Sequence, residues 1–329
     1  MKEIISSNHS IWIGKESIYQ LDLAAYSKIA ILVDENTKKY CLEKLSKIKY
    51  TIIIEIKSGE KNKNLKTCHS IWEQLINHNF DRNSLIINLG GGIIGDIGGF
   101  CASTYKRGIG FIHIPTTLLA MVDAAIGGKL GVNLNNLKNQ IGVFQHPSSV
   151  IINTDFLNTL PKKEIISGFA EIVKHALIAD KELWNKIKCI QIEELNLDEI
   201  IINSVELKNK IILTDPHEKG ERKKLNFGHT FGHAIESYYL EKGTPILHGE
   251  AIYIGMILET EISKLTFLEK NEIKNYILSN FKLPYTPKKN ELLKFLVNDK
   301  KNQSEKINFS LLKGIGHCTT DNLFNHNEL

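Results

Sequence analysis

Two histidines four residues apart, His229 and His233, and a third, His248, are the side chains of this chain whose types and spacing most directly suggest chemistry. They occur in Asn226-Phe-Gly-His-Thr-Phe-Gly-His233-Ala-Ile-Glu236 and in His248-Gly-Glu250, with Arg222 just upstream. On a helix, positions i and i+4 leave the same face about one turn apart. Imidazoles so placed suit zinc or a similar divalent ion, and a catalytic site of that kind usually has three protein ligands and one open position. The other use of such a pair is to pack in a core with the ring nitrogens bonded to backbone. Gly228 and Gly232 share the spacing; each weakens a helix by roughly 1 kcal/mol relative to Ala, a cost tolerated where backbone must approach a neighbour or ligand closely.

Other clusters add candidate partners. Gly168-Phe-Ala-Glu171-Ile-Val-Lys174-His175 places a carboxylate, an ammonium and an imidazole on one helical face. That stripe is either an ordinary ion pair or, since the helix is otherwise apolar, the wall of a cleft, and Glu171 then supplies the third ligand. Gly90-Gly-Gly-Ile-Ile-Gly95-Asp96-Ile-Gly-Gly follows an apolar run. Glycines there let backbone N–H groups reach a phosphate at a helix N-terminus, although a generic turn reads the same way. Thr116 and Thr117 end a further strand and offer hydroxyls. Asp123, Lys129, Lys138 and Asn139, in glycine-rich surroundings, could line a site for a polyhydroxylated anion or belong to a solvated loop. The chain has only three arginines, Arg82, Arg107 and Arg222. The guanidinium fork binds carboxylate or phosphate in a way lysine does not copy.

These groups must be positioned by a fold of ordinary composition: 329 residues, 42% hydrophobic, 24% charged, net charge +4. The length supports two domains. The dispersed basic residues give no nucleic-acid stripe. Five scattered cysteines without CxxC spacing point to a reducing compartment and against a disulfide framework. There is no signal-like segment at the N-terminus and no stretch of eighteen apolar residues, so a cytoplasmic location and no membrane partner are expected.

Apolar runs at 28–34, 50–56 and 84–89, separated by helical patterns, and another run from Phe111 to Pro115 predict a doubly wound α/β sheet. Asp34 closes the first run, where an acidic residue can hold a ribose hydroxyl or simply face solvent. From about residue 155 helical patterns replace the strands. The expected division is 1–154, α/β, and 155–329, helical; residues 286–306 read as a solvated helix and loop.

Taken together, the motifs resemble those of the 3-dehydroquinate synthase family, within the sugar phosphate cyclases. They are GGGxxGDxxGF at Gly90–Phe100, PTTLLA at Pro115–Ala120, VDxxxGGKxGVN at Val122–Asn133, KNxIGxF at Lys138–Phe144, GxAExxKHxLI at Gly168–Ile178, LNFGHTFGHAIE ending at Glu236, and HGExxxxGM from His248. The resemblance spans roughly 28–316. It implies an N-terminal Rossmann-like NAD-binding domain and a C-terminal helical metal-binding domain. Position by position it makes Glu171, His233 and His248 the ligands of one divalent metal, zinc or cobalt, and turns His229 toward substrate. It assigns NAD to Asp34, to Ser58, Gly59, Glu60 and Lys63, to Gly92, Ile93, Ile94, Gly95 and Asp96, to Thr116 and Thr117, to Lys129 and Lys138, and to Phe156, Leu157, Asn158 and Thr159. It assigns substrate to Arg107, Asp123, Lys129, Asn139, Lys174, Lys208, Arg222, Asn226 and His229, with Lys300 or Lys301 reaching the carboxylate.

The implied reaction, in the shikimate pathway, takes 3-deoxy-D-arabino-heptulosonate 7-phosphate to 3-dehydroquinate and phosphate. It proceeds through transient oxidation by NAD, phosphate elimination, re-reduction and an intramolecular aldol closure. A homodimer is implied as well. Rival readings are another sugar phosphate cyclase and a metal-dependent polyol dehydrogenase of the same fold. Five positions depart from the family pattern: Ala124 and Ala125 where a Ser is common, Leu130 in place of a smaller or polar residue, and Gln145-His146. All are expected to touch the lining of the site.

Overall fold

Apolar runs bounded by acidic or glycine residues become the central strands of the first of two compact units, Met1–Pro161; the second runs from Lys162 onward. The computed structural model describes residues 1–135, 137–296 and 306–325. The sequence boundary after residue 154 falls at the start of a short 3-10 segment, Thr154–Thr159.

The first unit contains β1 (Lys2–Ser6), β2 (His9–Ile13), β3 (Ile29–Asp34), α1 (Glu35–Tyr40), β4 (Ile52–Ile56), α2 (Leu65–Asn77), β5 (Leu85–Gly90), α3 (Gly92–Thr104), β6 (Gly110–Pro115), β7 (Lys129–Leu134), β8 (Leu137–Phe144) and β9 (Ser149–Ile152). Seven strands form one sheet in the order β1-β2-β9-β6-β5-β3-β4. All neighbours are parallel except the β1–β2 hairpin. Every residue of β5 is buried, as in a strand covered on both faces. Strand order reverses between β3 and β5, the place where open α/β sheets bind ligands beyond the carboxyl ends of their strands. Asp34 ends β3 there and Gly90 ends β5. On the helical side, Cys68, Ile71 and Leu75 of α2 recur at helical spacing and enter the core beneath the sheet.

The second unit contains α4 (Lys162–Ala179), α5 (Lys181–Ile187), α6 (Leu197–Thr214), α7 (His229–Glu241), α8 (His248–Ile262), α9 (Phe267–Asn280), α10 (Lys289–Leu296), β10 (Ile307–Gly314) and β11 (His317–Phe324). α4 is buried without interruption from Ser167 to Ile178, the state expected of a helix apolar on nearly every face. The unit is predominantly helical, as expected, but the run at Ile307–Leu312 is one strand of an antiparallel hairpin, β10–β11, which the helical reading had not included. α10 occupies part of the charged 286–306 segment and buries Leu292 and Leu296. Lys300 and Lys301 lie outside the described residues. Among the described residues no helix is long and apolar enough to cross a membrane.

Candidate functional site: a buried carboxylate between histidines, and a glycine cradle

In the second unit, Glu171 and Lys174 are both essentially inaccessible and form an ion pair on α4. The other carboxylate oxygen, Glu171 Oε1, stands 3.5 Å from His229 Nε2 and 3.5 Å from His248 Nε2. It is buried and has no hydrogen-bond partner. One oxygen and two imidazole nitrogens within 4.8 Å of one another form a donor set of the kind that holds a divalent cation. Burial alone would raise the Glu171 carboxyl, but Lys174, His229 and His248 together bring it well below the usual carboxylate range. It therefore stays ionised and able to ligate.

The histidine set differs from the one expected. His229, at the first position of α7, meets Glu171; His233 stands one turn along, its ring edge-on to that of His229 with centroids 5.3 Å apart. The donor atoms gathered here are thus those of Glu171, His229 and His248 rather than of Glu171, His233 and His248. The reason is the direction of α7, whose N-terminal turn, not its second, carries a ring to the α4 carboxylate. Both rings have defined orientations. His229 Nδ1 bonds the Phe227 carbonyl at 3.2 Å and His248 Nδ1 faces Glu236 Oε1 at 3.3 Å, so Nε2 is turned inward in each. Burial pushes the His248 imidazole down, yet the Glu236 and Glu171 carboxylates hold it up at about 10, a measure of how strongly this pocket favours positive charge. Glu236 was in the quoted motif but was not singled out, although its place in HAIE was the available signal.

The glycines of these helices serve close approach. A Cβ on Gly232 would stand 2.7 Å from Ile252 Cδ1, one on Gly255 would fall inside contact distance of the Gly228 carbonyl, and one on Gly249 would meet the Ser167 backbone. α7, α8 and α4 are thereby brought close enough for three helices to share one set of ligands.

The same unit also buries cations besides Lys174. Lys208 of α6 is buried, and His175 Nδ1 contacts Ser204 Oγ at 2.7 Å, tying α4 to α6. Arg222 is buried with Nη1 donating to the Pro216 carbonyl at 2.7 Å. Its loop is closed by Asp215, whose Oδ2 accepts from Gly220 and Arg222 N–H at 2.7 and 3.1 Å. Asn226 Nδ2 donates to Glu218 Oε1 at 2.7 Å.

The first unit holds a different kind of site. α3 begins after Gly91, which gives it no side-chain cap, so its first N–H groups are presented as an anion-binding end. A Cβ on Gly91 would crowd Thr117 Cγ2 at 3.2 Å and one on Gly92 would crowd Ala124 Cβ at 3.2 Å. Asp34 caps α1, its Oδ1 accepting from Asn36 and Thr37 N–H at 2.9 and 2.8 Å. Ser58 bonds Glu35 through both N–H and hydroxyl, Gly59 adopts φ +96, and Glu60 Oε1 accepts from Asn133. Lys63 is buried and bridges Asp96 and Asn139, with Asn139 Oδ1 at 2.6 Å. Burial raises the Asp96 carboxyl above its ordinary value, and the adjacent Lys63 only partly offsets that. Ile93 and Ile94 complete the first turn of α3. Thr116 N–H donates to the Gly90 carbonyl at 3.1 Å and Thr117 Oγ1 caps Ala120 N–H at 3.2 Å.

Asp123 lies in a single π-helical turn, Ala120–Ala124, a conformation that the sequence did not signal and that recurs at functional sites. Lys129, Lys138 and Asn139 belong to the antiparallel hairpin β7–β8, with Lys129 opposite Phe144, rather than to a loop. Leu130 is buried against Gly99 of α3, so this departure is a core contact, not part of a site lining. His146 stacks on His9 with centroids 5.3 Å apart. Phe156 and Leu157 are buried in the unit, while Asn158 and Thr159 are exposed. Arg107, exposed at φ +70, lies beyond the C-terminal end of α3, whereas the glycine cradle is at its N-terminal end.

Comparison with known proteins agrees across the chain. The family model described as 3-dehydroquinate synthase N-terminal matches residues 53–167, and the one described as 3-dehydroquinate synthase C-terminal matches 168–302. The chain is 43% identical over 303 residues to a 3-dehydroquinate synthase of Parabacteroides distasonis, covering 88% of this chain and 86% of that one. It is 41% identical over 327 residues to one of Campylobacter concisus, covering 96% and 93%. Among solved structures, 2-deoxy-scyllo-inosose synthase complexed with carbaglucose-6-phosphate, NAD+ and Co2+ superposes with a TM-score of 0.85 at 25% identity, covering 99% of this chain and 97% of that one. A chain matched in both halves by one family's models, and more than 40% identical to that family's members over most of its length, belongs to the 3-dehydroquinate synthase family.

Proposed function

We propose that this enzyme converts 3-deoxy-D-arabino-heptulosonate 7-phosphate to 3-dehydroquinate and phosphate, using NAD and one divalent cation, zinc or cobalt, held by Glu171, His229 and His248. The observation that carries the cation is the buried, unbonded Glu171 oxygen placed equally far from two inward-facing imidazole nitrogens. When bound, NAD takes up and returns a hydride and the cation polarises substrate oxygens as a Lewis acid.

The chain's own residues do the rest. The N-terminus of α3 receives the dinucleotide pyrophosphate and Asp34 a ribose hydroxyl, while Lys63 keeps Asp96 and Asn139 in one arrangement. Lys174, Lys208 and Arg222 are buried cations suited to a substrate bearing both carboxylate and phosphate. Lys174 also keeps Glu171 ionised, and Glu236 orients the His248 ring. His233 takes the substrate-side role that the resemblance gave to His229, together with Asn226. Lys129, Lys138, Asp123 and Arg107 are proposed to contact substrate or nicotinamide. The partition into a nucleotide-binding 1–154 and a metal- and substrate-binding 155–329, the homodimer and the cytoplasmic location belong to the same proposal.

The test is a phosphate-release assay with NAD, with and without chelator. Chelator-sensitive phosphate release without net formation of reduced nicotinamide supports the reading. Stoichiometric accumulation of NADH would indicate a polyol dehydrogenase, and turnover of another sugar phosphate in preference to the named substrate would indicate a sister cyclase.

A further inference from the structure

The first turn of α7 is held by a carboxylate for which the reaction has no direct use. Glu259, near the end of α8, is fully buried. Its Oε2 accepts from Gly228 N–H at 2.5 Å, and its Oε1 from Thr230 and Phe231 N–H at 3.0 and 3.1 Å. α7 has no side-chain cap of its own, because its N-cap is Gly228 in a left-handed conformation at φ +79. Glu259 therefore does from a neighbouring helix what a capping Ser or Asp does locally, and adds a negative charge at the positive end of the helix dipole. Burying a carboxylate is costly, and apolar side chains would pack that space without the cost. The three N–H bonds are what the position gains in return.

Those bonds bracket His229. Gly228 precedes it, Thr230 and Phe231 follow it, and its ring is set by the Phe227 carbonyl on one side and Glu171 on the other. α8 thus carries a ligand, His248, at its first position and the carboxylate that fixes the other ligand's backbone eleven residues later, about 16 Å along the helix. We infer that Glu259 is a positioning residue for the metal centre, clamping the start of α7 so that His229 Nε2 meets the same ion as Glu171 and His248.

The inference rests on the ligand set proposed above, and the experiment separates the two. Metal-free full-length protein is titrated with Co2+ and, separately, with NAD, for the parent, Glu259→Gln, His229→Ala and the double variant. Glu259→Gln keeps the shape but sets an amide against backbone N–H groups. The expected result is a 10- to 100-fold loss of Co2+ affinity, the range found when partners of metal ligands are removed, with NAD affinity unchanged. His229→Ala is expected to abolish tight Co2+ binding, and Glu259→Gln to add no further loss on that background. Parent-like Co2+ affinity in Glu259→Gln, beside a weakened His229→Ala, overturns the inference and leaves the ligand set standing. Equal losses of Co2+ and NAD affinity in Glu259→Gln would show general loosening and also overturn it. Parent-like affinity in His229→Ala overturns the ligand set itself. Should Glu259→Gln fail to fold, Glu259→Asp, which keeps the charge but withdraws it by one methylene, gives the same decision: weakened Co2+ binding supports the clamp and unchanged binding refutes it.

Discussion

The two units offer ligands different parts of the polypeptide. In the first, the candidate cradle is largely backbone: the uncapped N-terminus of α3, the Gly59 turn and the ends of β3 and β5. In the second it is side chains, namely a carboxylate from α4 and an imidazole each from α7 and α8. A backbone site needs glycine and leaves a residue signature, whereas a side-chain site depends on helix direction and rotation, which spacing alone does not give. The first should tolerate substitutions that spare its glycines; the second should fail when a single ring or its support is removed.

The sharpest test of that contrast is between two histidines one turn apart. His229→Ala should lower divalent-metal affinity by at least about 100-fold, since it removes one of three ligands, whereas His233→Ala should hold metal within several-fold of the parent and lose turnover instead. Metal content after dialysis, measured beside phosphate release, separates the two. If His233→Ala loses the metal and His229→Ala keeps it, the geometry at α7 has been misread.

Lys174 gives the next largest effect. Replacing it with Met leaves Glu171 buried without its ammonium partner, a change that typically costs about 3–5 kcal/mol. The urea midpoint of the metal-free protein should fall accordingly, and added Zn2+ should restore part of the loss, because a cation replaces the missing charge. No shift in midpoint would mean that the ion pair is not formed in solution.

How far the site was readable follows the same division. The apolar runs of β3 and β5 and the glycines at 90–95 could be recognised because a buried parallel strand and a phosphate-binding turn each restrict residue type. Glu171 as a ligand could be reached from its spacing on an apolar helix. The choice between His229 and His233 could not, since both fit one face and only the position of α4 selects. The β7–β8 hairpin read as a loop because the first four residues of β8 are exposed and its core-facing alternation is confined to Ile141 and Val143. Leu130 read as a change in the site lining because nothing local reveals Gly99 beneath it.

Glycine substitutions sharpen the comparison at smaller magnitude. Gly255→Ala sets a methyl against the Gly228 carbonyl, backbone against which neither helix can yield without moving, so α8 shifts from α7. Overpacking of that kind typically costs 1–3 kcal/mol, and here it should also weaken metal binding. Gly99→Ala meets only the Leu130 side chain, 2.5 Å from Cδ2, which can rotate away. Its cost should fall at the low end of the same range, with metal affinity unaffected. Thermal melts and Co2+ titration of the pair would show whether the second unit is the more tightly coupled.

The smallest effect is a pH dependence belonging to the first unit. His9 and His113 are buried with neutral rings; burial, then His146, lowers His9 to about 4, and burial, then His9, lowers His113 to about 3. Their unfolded value is 6.5, so between that pH and the folded values the unfolded chain binds more protons and stability rises with pH. The contribution is complete above 6.5 and is lost as pH falls through the window. At pH 5.5 each ring should cost on the order of 1 kcal/mol, a figure set mainly by the unfolded value. Relative to the intrinsic exchange rate, which itself falls with pH, amide exchange in β6 and β2 should be in excess at pH 5.5 compared with pH 7, and His9→Phe should remove about half of that excess. An unchanged excess in the variant would show that the acid sensitivity arises elsewhere, and would remove the one respect in which the first unit is expected to be the weaker of the two.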